Sequence, residues 1–312
     1  VLAEERIDLL FRIVQYIERQ VVLFDAIEDS AFQAVGRSDE SVGLDALFSL
    51  VRNDDKLKGR IVEKLKDFSV RLVLTAHPTQ FYPGPVLGII NDLIEAIKAN
   101  DISNINLLLQ QLGKTPFIKK QKPTPVDEAI SLAWYLENVF YKVTSGIQSK
   151  IDSELDVDGK EVKQLVELGF WPGGDRDGNP NVTVESTKRV ASMLRTILFR
   201  CYYRDFRIVK RRITFRGAEQ YLDNLQNLFY ENSFNPIDNP TNDTEEILTN
   251  LEAIKSVLND LHNGLFIELV EDLIHKVKTF GCFFATLDIR QDSSVLRETT
   301  TYLAKHYPDE TR

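Results

Sequence analysis

A turn-rich run of eight residues holds the chain's densest set of chemically useful groups. It reads, in order, Gly173, Gly174, Asp175, Arg176, Asp177, Gly178, Asn179 and Pro180. Glycines let backbone N–H groups approach an anion closely, and the carboxylates and the guanidinium could bind or orient charged groups. Two interpretations stay open on these residues alone: a rigid charged site, or a tight turn whose Asp and Arg side chains pair with each other.

Polar residues also follow two other apolar runs. His77 comes after the β-branched run at 70–75, and Arg290 and Gln291 come after the run at 282–289. In parallel α/β architectures, ligands gather outside the carboxyl ends of the strands. The sequence therefore predicts that the three polar segments converge on one face.

Each of these polar residues also has a structural interpretation. His77 could act as a general base near neutral pH, or it could be a hydrogen-bonded structural residue. Arg290 could offer a bidentate fork to phosphate or carboxylate. Alternatively, it could pair with Asp288 or Asp292.

Asp175 and Asp177 could bind a metal ion or orient Arg176. We favour orientation, because a hard divalent cation usually needs further oxygen ligands.

The elements that must position these residues are mostly helical in period, with three short strands at 70–75, 168–171 and 282–289. Thr124 and Pro125 mark a strong helix start. The helices are predicted over 4–29, 54–67, 85–99, 104–112, 125–155, 184–214, 217–230, 244–262, 265–279 and from 293 onward. Three strands cannot close a barrel, so we expect the first part of a larger α/β structure with large helical insertions.

The composition of the 312 residues excludes several classes of protein. The net charge of −9 argues against a nucleic-acid binder. A basic group on one predicted helix is the local exception, and its acid-rich flanks favour a solvated or ion-paired face over a polynucleotide site, with an internal anionic ligand as an open alternative; its members are Arg204, Arg207, Lys210, Arg211, Arg212 and Arg216. Two cysteines and no membrane-length apolar run predict a cytoplasmic protein with no membrane association.

Four segments together resemble the phosphoenolpyruvate carboxylase family. They are residues 73–80 (VLTAHPTQ), 123–128 (PTPVDE), 173–180 (GGDRDGNP) and 287–293 (LDIRQDS). They occur in the family's order, which is far more specific than any one motif. The resemblance implies a mostly α protein whose few parallel strands are the first part of a (β/α)8 barrel. Residues 1–312 would be an amino-terminal portion, with a helical leader at 1–69 and the first three barrel strands within 70–312.

The resemblance also implies the reaction and its residues. The family joins bicarbonate to phosphoenolpyruvate, giving oxaloacetate and phosphate through carboxyphosphate and the enolate of pyruvate. His77 matches the histidine that assists deprotonation of carboxyphosphate, and Arg290 matches a substrate-binding arginine. Arg176 is a further candidate for substrate binding. The supporting residues would be Gly173, Gly174, Asp175, Asp177 and Gln291. Mg²⁺ or Mn²⁺ is implied as cofactor, with ligands beyond Arg312 and none in this chain.

The chain departs from the family pattern in two places. Members usually carry an arginine pair soon after the histidine motif, where residues 81–85 here read FYPGP, so sugar-phosphate activation is not expected. The family's later motifs are absent, so we expect this chain alone to be inactive. The resemblance further implies a homotetramer with feedback by aspartate or malate. The alternatives are a non-catalytic helical scaffold related to the enzyme, or a different enzyme acting on phosphoenolpyruvate.

Overall fold

Helices form wherever apolar residues recur at three- and four-residue steps, and they account for most of the chain. The computed structural model describes residues 3–36, 43–52, 54–75, 82, 84–117, 123–157, 162–177, 179–235 and 240–307. The helices are α1 (Ala3–Gly36), α2 (Leu44–Val51), α3 (Asp55–Leu65), α4 (Gly84–Lys98), α5 (Ile102–Lys114), α6 (Pro125–Tyr135), α7 (Tyr141–Leu155), α8 (Val184–Arg212), α9 (Glu219–Phe234), α10 (Thr244–His262), α11 (Ile267–Phe280) and α12 (Ser293–His306).

Packing divides the chain into two units. One consists of Val1–Asn53 with His77–Lys122, and the other of Asp54–Ala76 with Pro123–Arg312. In the first unit, α4 packs against both α1 and α5. Its buried core residues are Val22, Ala26, Val86, Ile89, Leu93, Ala96, Leu108 and Leu112. The division into a helical leader at 1–69 and a remainder at 70–312 stays a prediction. Helices α4 and α5 lie after residue 69, yet they belong to the same unit as α1.

The second unit contains a parallel sheet of β1 (Val70–Leu74), β2 (Val166–Phe170) and β3 (Thr286–Leu287), in that spatial order. Leu72 pairs with Leu168, and Phe170 pairs with Leu287. Because side chains alternate along a strand, these residues share one face, and Leu168, Phe170 and Leu287 belong to the helical core. The opposite face is more polar, since it carries Arg71, Glu167 and Thr286. This face and the strand ends therefore carry the polar groups of the described sheet.

Helix α8 organises the helical layer of this unit by packing against α6, α9 and α11. It begins with a capping box, in which Thr183 and Ser186 satisfy each other's backbone N–H groups. Helix α6 begins in the same way at Thr124 and Asp127, which confirms the helix start predicted there. A π-helical segment, Leu136–Phe140, joins α6 to α7. The predicted helix at 125–155 is thus continuous, with one widened turn.

A partly buried ionic group links α7, α8 and α11. Lys276 donates to Asp205 at 2.7 Å and to Asp272 at 2.6 Å, and the Tyr141 hydroxyl donates to Asp205 at 3.0 Å. Burial alone would lower the pKa of Lys276, but these two carboxylates outweigh burial and raise the pKa. Burial and the neighbouring Asp205 raise the pKa of Tyr141 well above its usual value. The ammonium and the phenol are therefore both held in their protonated forms.

The third predicted strand, at 282–289, is wrong in length, because β3 spans only Thr286–Leu287. The residues before β3 are drawn away from the sheet. Phe283 N–H donates to the Phe280 carbonyl at 3.1 Å, and Phe284 is buried against the rings of Phe280 and Tyr141. Strand β2 begins earlier than the predicted 168, at Val166. Helix α2 was not predicted; its inward residues are Phe48 and Val51.

Two members of the basic group on α8 are paired with acids. Arg204 lies 3.4 Å from Glu137, and Lys210 lies 2.8 Å from Asp223. The ion-paired interpretation is confirmed for these two residues.

Among the described helices, none combines the length and the apolar character needed to cross a bilayer.

Candidate functional site at the strand ends

Main-chain hydrogen bonds bring the glycine-rich loop and the end of β3 together. Arg290 N–H donates to the Gly174 carbonyl at 3.1 Å, and Arg176 N–H donates to the Arg290 carbonyl at 2.8 Å. A Cβ atom at Gly174 would lie 2.0 Å from the Asp288 carbonyl oxygen. Only glycine permits so close an approach, so the backbone itself fixes the position of Arg290 beside the loop.

Arg290 forms an ion pair with Asp177. Its Nη2 lies 2.7 Å from Asp177 Oδ2, and the two side chains are 57% and 41% exposed. The partners considered from the sequence, Asp288 and Asp292, are engaged elsewhere. Asp292 caps α12, and the pKa of its carboxyl is lowered by hydrogen bonds from the side chain and backbone of Ser294. The guanidinium of Arg290 is thus accessible, and among the described residues its carboxylate partner is Asp177.

Arg176 has a different environment from Arg290. Its Nη2 donates to Thr187 Oγ1 at 3.0 Å, and the same hydroxyl lies 2.7 Å from the Gly173 carbonyl oxygen. Its Nε is buried and has no hydrogen-bond partner among the described residues. These contacts tie the loop to the first turn of α8. The predicted role of Arg176 in substrate binding stays a prediction, but its described contacts anchor the loop.

The two carboxylates of the loop do not contact Arg176 in the way we expected. Asp175 accepts from Trp171 Nε1 at 3.1 Å and from Asp177 N–H at 3.3 Å, whereas Asp177 holds Arg290. The prediction that the loop carboxylates orient Arg176 is therefore wrong. The carboxylate of Asp177 pairs with Arg290 instead.

Gln291, the remaining supporting residue, turns its side chain toward the start of α12. Its Oε1 accepts from the backbone N–H of Asp292 at 3.0 Å. Gln291 lies at the site because it follows Arg290 in the chain. Its amide oxygen accepts a hydrogen bond from the backbone at the start of α12.

A second ion pair on the polar face of the sheet was missed from the sequence. Arg71 on β1 donates from Nη2 to Asp288 Oδ1 at 2.6 Å. The pair passes over β2 at Gly169, where a Cβ would lie 3.0 Å from Asp288 Oδ2 and 3.1 Å from Arg71 Nε. The available signal was an arginine within the apolar run at 70–74, on the face opposite Leu72. This pair ties the first strand to the residues that precede Arg290.

His77 and residues 76–80 lie outside the described residues, as does Gly178. The assignment of His77 as the base therefore stays a prediction. Within the described ranges, no three His, Cys, Asp or Glu side chains come together as ligands for a metal ion. The carboxylates described at the site are engaged with Arg290, Arg71, Trp171 and the start of α12.

The fold and this cluster define a mostly helical α/β protein with a charged group at the carboxyl ends of parallel strands. The family model described as phosphoenolpyruvate carboxylase matches residues 25–235 and 219–309. The chain belongs to the phosphoenolpyruvate carboxylase family.

Curated relatives carry the same family name at low identity. The phosphoenolpyruvate carboxylase of Shewanella halifaxensis is 26% identical over 297 residues, covering 78% of this chain and 33% of that protein. The phosphoenolpyruvate carboxylase of Aliivibrio salmonicida is 27% identical over 310 residues, covering 85% of this chain and 35% of that protein. The chain thus spans about a third of the length of the relatives it matches.

Proposed function

We propose that this chain contributes part of the active site of a phosphoenolpyruvate carboxylase, and that Arg290 binds the phosphate or carboxylate of phosphoenolpyruvate. The observation that supports this role is the accessible guanidinium of Arg290, which main-chain hydrogen bonds hold at the strand ends. A positioned guanidinium offers two parallel N–H donors to such an anion. It also stabilises negative charge that develops during reaction.

In the proposed reaction, an oxygen of bicarbonate attacks the phosphorus of phosphoenolpyruvate. The bond from phosphorus to the enol oxygen breaks, giving carboxyphosphate and the enolate of pyruvate. His77 then assists deprotonation of carboxyphosphate, which releases carbon dioxide and phosphate. The enolate carbon attacks carbon dioxide to form oxaloacetate. Arg290 would hold the substrate's charge near the strand ends throughout, so that the enolate stays beside the carbon dioxide.

The three strands would be the first part of a (β/α)8 barrel. Their parallel order, with Leu168 and Phe170 toward the helices and Arg71 and Glu167 on the other face, suits a barrel wall. The Mg²⁺ or Mn²⁺ implied by the family would supply Lewis-acid stabilisation of charge. Following the family resemblance, we propose that its ligands lie outside residues 1–312. The homotetramer is likewise a proposal.

The test is enzymatic and uses the complete natural protein that contains these residues. Oxaloacetate is measured through NADH consumption by malate dehydrogenase, with phosphoenolpyruvate, bicarbonate and Mg²⁺ each omitted in turn. We expect formation to require all three, and the 312-residue chain alone to form none. A protein that forms no oxaloacetate under any of these conditions overturns the proposal in favour of a non-catalytic scaffold.

Two variants test the assigned roles. Arg290→Gln should raise KM for phosphoenolpyruvate by about tenfold or more, since a bidentate charged contact is lost. His77→Asn should lower kcat by roughly a hundredfold or more while the circular dichroism spectrum is retained. Arg204→Gln is the matched control, because Arg204 is a half-exposed, ion-paired arginine on α8; its kinetics should equal those of the wild type. Normal turnover by His77→Asn would remove His77 from the mechanism.

A further inference from the structure

The guanidinium that would bind the substrate anion is occupied by a carboxylate of the protein itself. Asp177 Oδ2 lies 2.7 Å from Arg290 Nη2. The other acids near this point have separate partners: Asp288 pairs with Arg71, and Asp175 accepts from the Trp171 indole. Asp177 is therefore the counter-ion of Arg290 among the described residues.

The position of Asp177 lets it release Arg290 without disturbing the loop. The main-chain bonds that fix Arg290 involve Gly174 and Arg176, and the Asp177 carboxylate takes no part in them. Its side chain is 41% exposed, so it can rotate into solvent. Ion pairs of this exposure contribute little stability. Exchanging the carboxylate for a phosphate group therefore costs little and leaves the backbone frame in place.

We propose that Asp177 is an internal competitor for the anion site at Arg290: it holds the guanidinium in place when the site is empty, and it lowers the affinity for anions that must displace it. The inference rests on the proposed role of Arg290 in binding substrate. Asp177 acts through Arg290, so it is a positioning and affinity-determining residue. The ligand class is a small phosphate- or carboxylate-bearing anion, with phosphoenolpyruvate as the expected member.

The competition predicts a gain of affinity when the charge of Asp177 is removed. Asp177→Asn keeps the shape of the side chain and one acceptor oxygen, but it lacks the negative charge that attracts the guanidinium and repels the incoming anion. We expect the Kd for phosphoenolpyruvate and for inorganic phosphate to fall by roughly three- to tenfold, the scale of a half-exposed charge pair plus one nearby repulsion. The gain should shrink as salt is added, because exposed charges are screened.

The experiment is an isothermal titration of the complete natural protein that contains these residues with phosphoenolpyruvate and, separately, inorganic phosphate. The variants are Asp177→Asn, Arg290→Gln and the double variant. Asp223→Asn is the matched control, because it removes the same charge from an ion pair with Lys210 on α8; it should leave both Kd values unchanged.

The double variant separates competition from a structural effect. If Asp177 acts through Arg290, its replacement changes nothing once Arg290 is glutamine. Equal or weaker binding by Asp177→Asn overturns the proposal, as does a gain that persists in the Arg290→Gln background or an absence of binding in both the wild type and Asp177→Asn. A gain of affinity in a protein without carboxylase activity would uphold this inference and reject the proposed function. Carboxylase activity without a gain of affinity in Asp177→Asn would uphold the proposed function and reject this inference.

Discussion

Replacing Gly174 by alanine should strain the contact that holds the site together. The new Cβ would lie 2.0 Å from the Asp288 carbonyl oxygen and 2.9 Å from its carbon. Both neighbours are backbone atoms, so neither can rotate away as a side chain would. The loop and the end of β3 must therefore separate by about 1.4 Å to restore an ordinary van der Waals contact.

That separation has a calculable effect on stability. It stretches the bonds from Arg290 N–H to the Gly174 carbonyl, 3.1 Å, and from Arg176 N–H to the Arg290 carbonyl, 2.8 Å. Each hydrogen bond contributes about 0.5–1.5 kcal/mol, and overpacking costs about 1–3 kcal/mol. We expect the free energy of unfolding to fall by roughly 2–6 kcal/mol on these two terms.

Urea denaturation followed by tryptophan fluorescence measures this loss. The chain has two tryptophans, Trp134 and Trp171, and both belong to the unit that contains the site. The signal therefore reports the unfolding of this unit. The midpoint should fall while the m-value stays constant, which is the signature of a change in stability.

Gly146→Ala is the matched control. Gly146 lies inside α7, where a Cβ would meet no atom within 4 Å. Alanine should stabilise the helix there by about 0.5–1 kcal/mol. The reasoning is refuted if Gly174→Ala unfolds within about 0.5 kcal/mol of the wild type while Gly146→Ala behaves as expected.

Three further predictions concern groups around the site and in the core. Thr187→Val should cost about 1–3 kcal/mol by urea denaturation, because it leaves the Gly173 carbonyl without that hydroxyl. Lys276→Met should cost about 3 kcal/mol, because it leaves the carboxylate of Asp205 buried without its ammonium partner. Burial raises the pKa of the Cys201 thiol to about 12. Below the unfolded-state pKa of about 8.5 the thiol is protonated in both states, so the stability contributed by the neutral thiol is fully present. It is lost as pH rises toward 12, because only the unfolded chain then gives up this proton. Between pH 9 and 11, stability should thus fall more steeply in the wild type than in Cys201→Ala, by about 1.4 kcal/mol per pH unit.

Each of these predictions has its own control or contradicting outcome. Thr249→Val removes an exposed hydroxyl that bonds within its own helix and should change little. Lys255→Met breaks a more exposed pair with Glu271 and should cost less than about 1 kcal/mol. If Thr249→Val lost as much stability as Thr187→Val, the dependence on burial would be contradicted. The same holds if Lys255→Met lost as much stability as Lys276→Met. Parallel pH curves for the wild type and Cys201→Ala would exclude the thiol as a source of alkaline instability.

Much of the fold follows from local patterns in the sequence. The period of apolar residues placed the long helices, and residues 244–262 match α10 at both ends. Capping chemistry at Thr124 located the start of α6, because this hydroxyl serves a backbone group only a few residues away. The first strand was also predicted, since a β-branched run has a local preference of its own.

Features that depend on distant neighbours were predicted less well. Phe283 and Phe284 are residue types that favour strands. Phe284 instead packs on Phe280 and Tyr141 of the helical core, and the Phe283 N–H donates to the Phe280 carbonyl, so neither residue joins β3. The sequence predicted that Arg290 and the glycine-rich loop lie on one face, and the structure confirms that these two segments are in contact. It could not identify Asp177 as the partner of Arg290, because that choice depends on how far the loop reaches across the strand ends. The widened turn at Leu136–Phe140 has no local signal that we recognise.

The main-chain contact between the loop and Arg290 also separates two kinds of mutation. Gly174 and the backbones of Arg176 and Arg290 carry the frame, whereas the side chains of Asp177 and Arg290 carry the exposed charge. Substitutions that change charge can therefore accumulate on an intact scaffold, and selection can alter the charge of this surface with little loss of folding. A change at Gly174 has no such freedom, because it alters the scaffold beneath both charged side chains.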